Sequence, residues 1–151
     1  MLSITPFLWF ETQAEEAMRF YGSLFPRAQE VNVLRAGGQV VAVTWELEGQ
    51  RITALNGSPK VPFTEAVSFA IGCDAQEEID RFWAALTDGG GTPGQCGWLK
   101  DRFGVSWQVI PNALGGLLGH PDRERAGRAL QAMLGMQKLD LAALQRAFDG
   151  A

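Results

Sequence analysis

Hydrophobic residues recur at two spacings along the chain. In "EEAMRFYGSLF", residues 15–25, the apolar positions Ala17, Phe20, Tyr21 and Leu24 follow the i, i+3, i+4, i+7 rule, which predicts a helix with one apolar stripe. "EEIDRFWAALT", residues 77–87, repeats the same spacing with Ile79, Phe82, Trp83 and Leu86. Each helix opens at a Thr/Asp-x-x-Glu pattern, Thr12 to Glu15 and Asp74 to Glu77, which predicts a capping box. Short apolar runs bounded by turn residues predict strands instead. "SITPFLWF" and "EAVSFAIGC" precede the two helices, and residues 29–35, 39–48 and 51–57 follow the first. Residues 92–94, 96–100 and 105–110 follow the second. Gly37-Gly38 and Glu48-Gly49 mark the hairpin turns of the first half, and Lys100 to Gly104 marks that of the second.

The two halves are an internal repeat. The helical segments match without gaps at an offset of 62, pairing Glu15 with Glu77, Arg19 with Arg81, Phe20 with Phe82, Tyr21 with Trp83 and Leu24 with Leu86. The element order is therefore β-α-β-β-β twice, an α+β fold. The expected organisation is one domain over residues 1–151: module one at 1–62, module two at 63–111 and a helical tail at 112–151. The tail carries apolar faces in "DRERAGRALQAMLGM" and "DLAALQRAF". They must cover either their own chain or a partner, and a homodimer assembled partly through them is expected.

Composition narrows the function. A chain of 151 residues that is 46% hydrophobic can bury one substantial core. A net charge of −4 with no lysine or arginine cluster argues against a nucleic-acid partner. The apolar runs fall short of the roughly 20 residues a membrane-spanning helix needs, so no membrane partner is expected. "MLSITPFLWF" has neither a basic region nor a cleavage site of the signal-peptide kind, and a cytoplasmic location follows as the expectation. Cys73 and Cys96 are then expected as free thiols.

The repeated modules resemble the vicinal oxygen chelate superfamily, the fold of glyoxalase I, ring-cleaving dioxygenases and bleomycin-resistance proteins. "ITPFLWFETQAEEAMRFYGSLFP", "ALNGSP", "AVSFAIGCDAQEEIDRFW" and "GQCGWLKDRFGVSWQVIP" are similar to the PhnB-like branch, often labelled 3-demethylubiquinone-9 3-methyltransferase, as is the tail segment "MLGMQKLDLAALQRAF". The resemblance implies a cleft lined by the first and last strands of each module, with metal ligands of the His, Glu or Gln type on those strands. Carried onto this sequence, the positions fall at Pro6 and, by the offset of 62, Ser68, then at Thr53 or Ala54, and at Gln108. That set lacks the imidazole, carboxylate or thiolate donors a first-row metal requires, and the single histidine, His120, lies beyond the second module. No metal and no cofactor are expected. "GGGTP" at 89–93 follows a helix, so it reads as a stop and turn, and no dinucleotide fingerprint of the methyltransferase kind accompanies it.

Strand alternation extends the cleft reading. With Pro6, Ser68 and Gln108 on the concave face, Leu8, Phe10, Ala70, Gly72, Ser106 and Ile110 share it, while Phe7, Trp9, Phe69, Ile71, Trp107 and Val109 turn toward the helices. The expected ligand-binding set is Gln108, Ser68, Asn56, Trp98, Cys96, Leu8 and Phe10, around a small organic ligand in an apolar cleft between the modules. Alternatively, Gln108 bonds Ser68 or Asn56 and the cleft is closed. Catalytic residues are not identified. An enzyme using Cys96 covalently, or a metal held by residues in another register, is the rival class, and a purely structural dimer is the third.

Overall fold

The computed structural model describes residues 1–151, which form two compact units, residues 1–62 and 63–151. The first contains β1 (Phe7–Phe10), α1 (Ala14–Leu24), β2 (Ala28–Ala36), β3 (Gln39–Leu47) and β4 (Gln50–Asn56). Its sheet has the order β1-β4-β3-β2, with β1 parallel to β4 and the other pairs antiparallel. The hairpins close where the sequence marked them. Gly37 and Gly38 have φ of 59° and 78°, and Glu48 and Gly49 have 50° and 87°. Two successive positive φ values match the right-handed twist of the flanking strands.

Helix α1 covers one face of this sheet. It buries Ala14, Ala17, Met18 and Tyr21, while Leu8, Phe10, Val43, Ile52 and Ala54 are the buried apolar residues of the strands. The buried stripe is rotated from the expected one, leaving Phe20 and Leu24 half-exposed. Gly22 is required by packing, because a β-carbon there would collide with the ring of Trp45. The expected capping box at Thr12 does not form. Gln13 is the N-cap and gives no side-chain bond; Asn56 Oδ1 accepts the Ala14 amide instead, at 2.9 Å. An acceptor from β4 thus does the work assigned to the local sequence.

The second unit contains β5 (Phe69–Cys73), α2 (Gln76–Thr87), β6 (Thr92–Pro93), β7 (Trp98–Lys100) and β8 (Ser106–Pro111). Its order, β5-β8-β7-β6 with β5 parallel to β8, repeats the topology of the first sheet. Ile79, Phe82 and Leu86 of α2 and Ile71, Cys73, Leu99, Trp107 and Val109 of the strands are buried. The start of α2 is also not the expected box. Ala75 is the N-cap, and Glu78 Oε2 accepts the amides of Asp74 and Ala75 at 2.8 and 3.3 Å. No helix of the chain is long and apolar enough to cross a membrane.

The tail belongs to this second unit. It forms α3 (Leu114–Leu118), α4 (Arg123–Leu134) and α5 (Leu141–Asp149) around a cluster of Leu114, Leu117, Ala129, Leu139, Leu144 and Phe148. The Gln76 amide ties it to α2, donating to Leu139 O at 3.0 Å and accepting from Leu141 N at 2.8 Å. The predicted strand from residue 96 begins only at Trp98. Cys96 and Gly97 adopt φ of 59° and 84°, and their amides bond Met136 O and Gln137 O, each at 2.8 Å. Much of the tail's apolar surface is thus buried within its own unit, and the surplus on which the homodimer expectation rested shrinks to Leu130 and Leu134, one turn apart on α4.

Candidate functional site

In each sheet one face meets a helix and the other is open. In the first, the open face is the reverse of the expected one. Leu8 and Phe10 are only 8% and 3% exposed, whereas Phe7 and Trp9 are 60% and 38% exposed. Leu8 and Phe10 therefore sit in the core of module one, on the side expected for Phe7 and Trp9. The cause is one residue in a loop. The helices align at an offset of 62, but three residues, Glu11, Thr12 and Gln13, join β1 to α1, while two, Asp74 and Ala75, join β5 to α2. The strands consequently align at 63, Leu8 with Ile71 and Phe10 with Cys73, and a one-residue slip in a period-two element exchanges its faces.

Asn56 is likewise committed locally. Its Oδ1 caps α1, and its Nδ2 donates to Val40 O at 3.2 Å. On the open face of this sheet, the Thr44 and Thr53 hydroxyls share a hydrogen bond of 2.8 Å, and Trp9 Nε1 donates to Pro59 O at 3.0 Å.

The second sheet keeps the expected alternation. Ala70 and Gly72 of β5 are exposed opposite Gln108 and Ile110 of β8, and Trp98 of β7 also stands opposite Gln108. Gln108 Nε2 donates to Ser68 Oγ at 3.0 Å, which realises one of the two pairings expected for that amide. Phe69 and Trp107 contact each other with ring centroids 5.1 Å apart, and Trp107 is buried.

A pocket of about 350 Å³ lies on this unit, lined by Glu65, Thr92, Pro93, Trp98, Lys100 and Ser106, with Gly94 and Leu99 completing it. Lys100 Nζ lies 2.6 Å from Glu65 Oε1. The hydrogen bond from Lys100 holds the Glu65 carboxyl below the usual carboxylate range. Ser106 is 1% exposed, and its hydroxyl has no hydrogen-bond partner. Ser106 was already expected on the open face. Lys100 follows from Trp98 by alternation, but no local sequence signal brings Glu65 to it.

The remaining candidates are held elsewhere. The Cys96 thiol donates to Met133 O at 3.6 Å, against the tail. His120 Nδ1 accepts from Asp122 N at 3.1 Å, and its ring stands edge-on to Phe148, so the histidine closes a turn. The positions where the resemblance places metal ligands carry Pro6, just before β1, Thr53 or Ala54 on β4, Ser68, just before β5, and Gln108 on β8. Hydroxyls and one amide are not a first-row metal donor set. Elsewhere in the chain, no three His, Cys, Asp or Glu side chains come together in a way that could hold an ion.

The comparisons concern the family and the fold. Residues 2–110 match the family model described as 3-demethylubiquinone-9 3-methyltransferase, so the tail helices lie beyond it. A Bacillus cereus structure described as PhnB protein and as a 3-demethylubiquinone-9 3-methyltransferase is 34% identical, with TM-score 0.68, covering 73% of this chain and 99% of its own. Two more distant structures share the fold. The glyoxalase/bleomycin resistance protein from Albidiferax ferrireducens is 13% identical with TM-score 0.52, covering 74% of this chain and 99% of its own. The fosfomycin resistance protein FosX from Mesorhizobium loti is 13% identical with TM-score 0.55, covering 73% of this chain and 92% of its own. No curated protein matches.

Proposed function

Because the chain belongs to the 3-demethylubiquinone-9 3-methyltransferase family, the PhnB-like branch of the vicinal oxygen chelate superfamily, we propose that it binds a small organic molecule on the open face of its second module, without a metal ion. The observation that carries this reading is the pocket at Trp98, where a buried Ser106 hydroxyl has no partner. A buried hydroxyl without a hydrogen bond is costly, and a ligand would supply the missing partner. Ala70 keeps the neighbouring surface low, and the Trp98 ring offers a face for stacking. Gln108 spends one N–H on Ser68, which leaves its carbonyl oxygen and a second N–H to orient a ligand.

The placement of Cys96 and His120 supports binding over the rival Cys96-dependent reaction. Cys96 has its thiol on a tail carbonyl, and the one histidine of the chain is engaged at a turn, so the rival Cys96 chemistry has no imidazole base beside it. The test is a ligand-observed NMR screen of aromatic and aliphatic fragments, repeated on Trp98→Ala and Gln108→Ala. Saturable binding weakened by both changes is expected, with substoichiometric zinc, nickel, iron and manganese by elemental analysis. Binding indifferent to both changes, or one tightly held metal per chain, would overturn the reading.

A further inference from the structure

The pocket on the second unit also restricts the class of ligand. Lys100 carries three N–H donors and has one partner, Glu65, whose side chain is 61% exposed. In the strand register Lys100 stands directly opposite Ser106, so the ammonium and the buried hydroxyl belong to one face of one hairpin. Trp98 lies two residues from Lys100 on the same face, and Pro93 adds apolar wall. A cation, a hydroxyl without a partner and an indole ring are thus gathered around about 350 Å³, the low end of the range for small-molecule sites. That is room for a one- or two-ring molecule.

On the reading that this pocket is the binding site, we infer that it takes a planar aromatic carboxylate, its two oxygens accepting from Lys100 Nζ and Ser106 Oγ and its ring lying on Trp98. A carboxylate fits this donor pair because each oxygen meets one donor, whereas a neutral amide presents a single acceptor oxygen and turns an N–H toward Lys100. Glu65 gives the inference its own signature. Its carboxylate already occupies Lys100, so it is an internal competitor that an incoming carboxylate displaces. The segment carrying Glu65 precedes β5 and its side chain is mostly in solvent, so displacement leaves the sheet and its core intact.

Removing the competitor must therefore strengthen binding, the opposite of what loss of a contact residue does. Isothermal titration of the full chain with 1-naphthoate and with the neutral 1-naphthamide distinguishes the possibilities, with circular dichroism of each variant as the check on folding. The expected results are naphthoate tighter than naphthamide by about tenfold or more, tighter still on Glu65→Gln, and weakened about tenfold on Lys100→Met and on Ser106→Ala. Equal affinity for the two probes, both lost on Trp98→Ala, would overturn the carboxylate inference while leaving small-molecule binding at the pocket in place. Weaker naphthoate binding on Glu65→Gln would likewise overturn it, by making Glu65 a ligand contact. Absence of binding by both probes, to the native chain and to Glu65→Gln alike, would count against the inference and the pocket together.

Discussion

The indole Nε1 of Trp107 donates to Asp101 Oδ2 at 2.9 Å, joining a buried ring on β8 to a carboxylate in the turn that leads into it. Asp101 is 3% exposed, and its other oxygen accepts the amides of Phe103 and Val105 at 2.8 and 3.0 Å. One side chain therefore closes the hairpin that carries Trp98, Lys100, Ser106 and Gln108. Replacing Asp101 with Ala leaves up to three N–H groups, two of them buried, without an acceptor, and the expected loss is about 3 kcal/mol. Urea melts of Asp101→Ala would check this; a loss within about 0.5 kcal/mol, the ordinary surface value, would mean the carboxylate does not organise the turn.

Asn56 governs the start of α1 in the same indirect way. Asn56→Ala removes the acceptor of the Ala14 amide, and a loss of about 1 to 2 kcal/mol is expected. Thr12→Ala, at the position the sequence marks as the cap, should change little. Paired chemical denaturation of the two variants measures the contrast, and the reverse ranking would restore the local capping box.

Gly22 tests how tightly α1 sits on its sheet. An alanine in a helix ordinarily gains about 1 kcal/mol over glycine. Here the added methyl meets the Trp45 ring, and overpacking of this kind costs about 1 to 3 kcal/mol. A net destabilisation of Gly22→Ala is expected in thermal melts, and a raised melting temperature would show that Trp45 moves aside freely.

Cys73 sets a pH dependence. Burial, the largest cause, pushes its thiol up to about 11 from an ordinary value near 9, since the thiolate is the form that loses hydration. The folded chain then holds this proton over a range where the unfolded chain releases it. Its contribution to stability is fully present below about pH 9 and is lost as the pH rises toward about 11. Urea midpoints for the native chain should fall more steeply across that window than those of Cys73→Ala; parallel profiles would assign the decline to other groups.

The elements were legible because their signals are local. The periods of 2 and 3.6 residues place α1, α2 and most strands to within a residue or two, and the offset of 62 finds the repeat. Which face of β1 opens was not legible from that offset, since helices tolerate a one-residue change in the preceding loop that strands convert into an exchange of faces. Gln108, Ser68 and Trp98 were placed on their face because module two keeps the assumed register, whereas Leu8 and Phe10 went to the core of module one. Asn56, Asp101 and Glu65 owe their places to partners 42, 6 and 35 residues away, respectively Ala14, Trp107 and Lys100, and only the middle separation lies within reach of a local pattern. The tail carried its apolar positions in plain view, yet the choice between its own module and a second chain depends on Gln76 and on the backbone of Cys96 and Gly97.

The most direct test of small-molecule binding on the second module is an NMR titration that follows the five indole N–H signals and the glutamine side-chain amides while a fragment selected by the screen is added. The expected result is saturable displacement of the Trp98 indole and Gln108 amide signals, with the buried Trp107 indole, fixed on Asp101, nearly still. Saturable binding that leaves Trp98 and Gln108 unmoved, or displacement spread evenly over all five indoles, would contradict it.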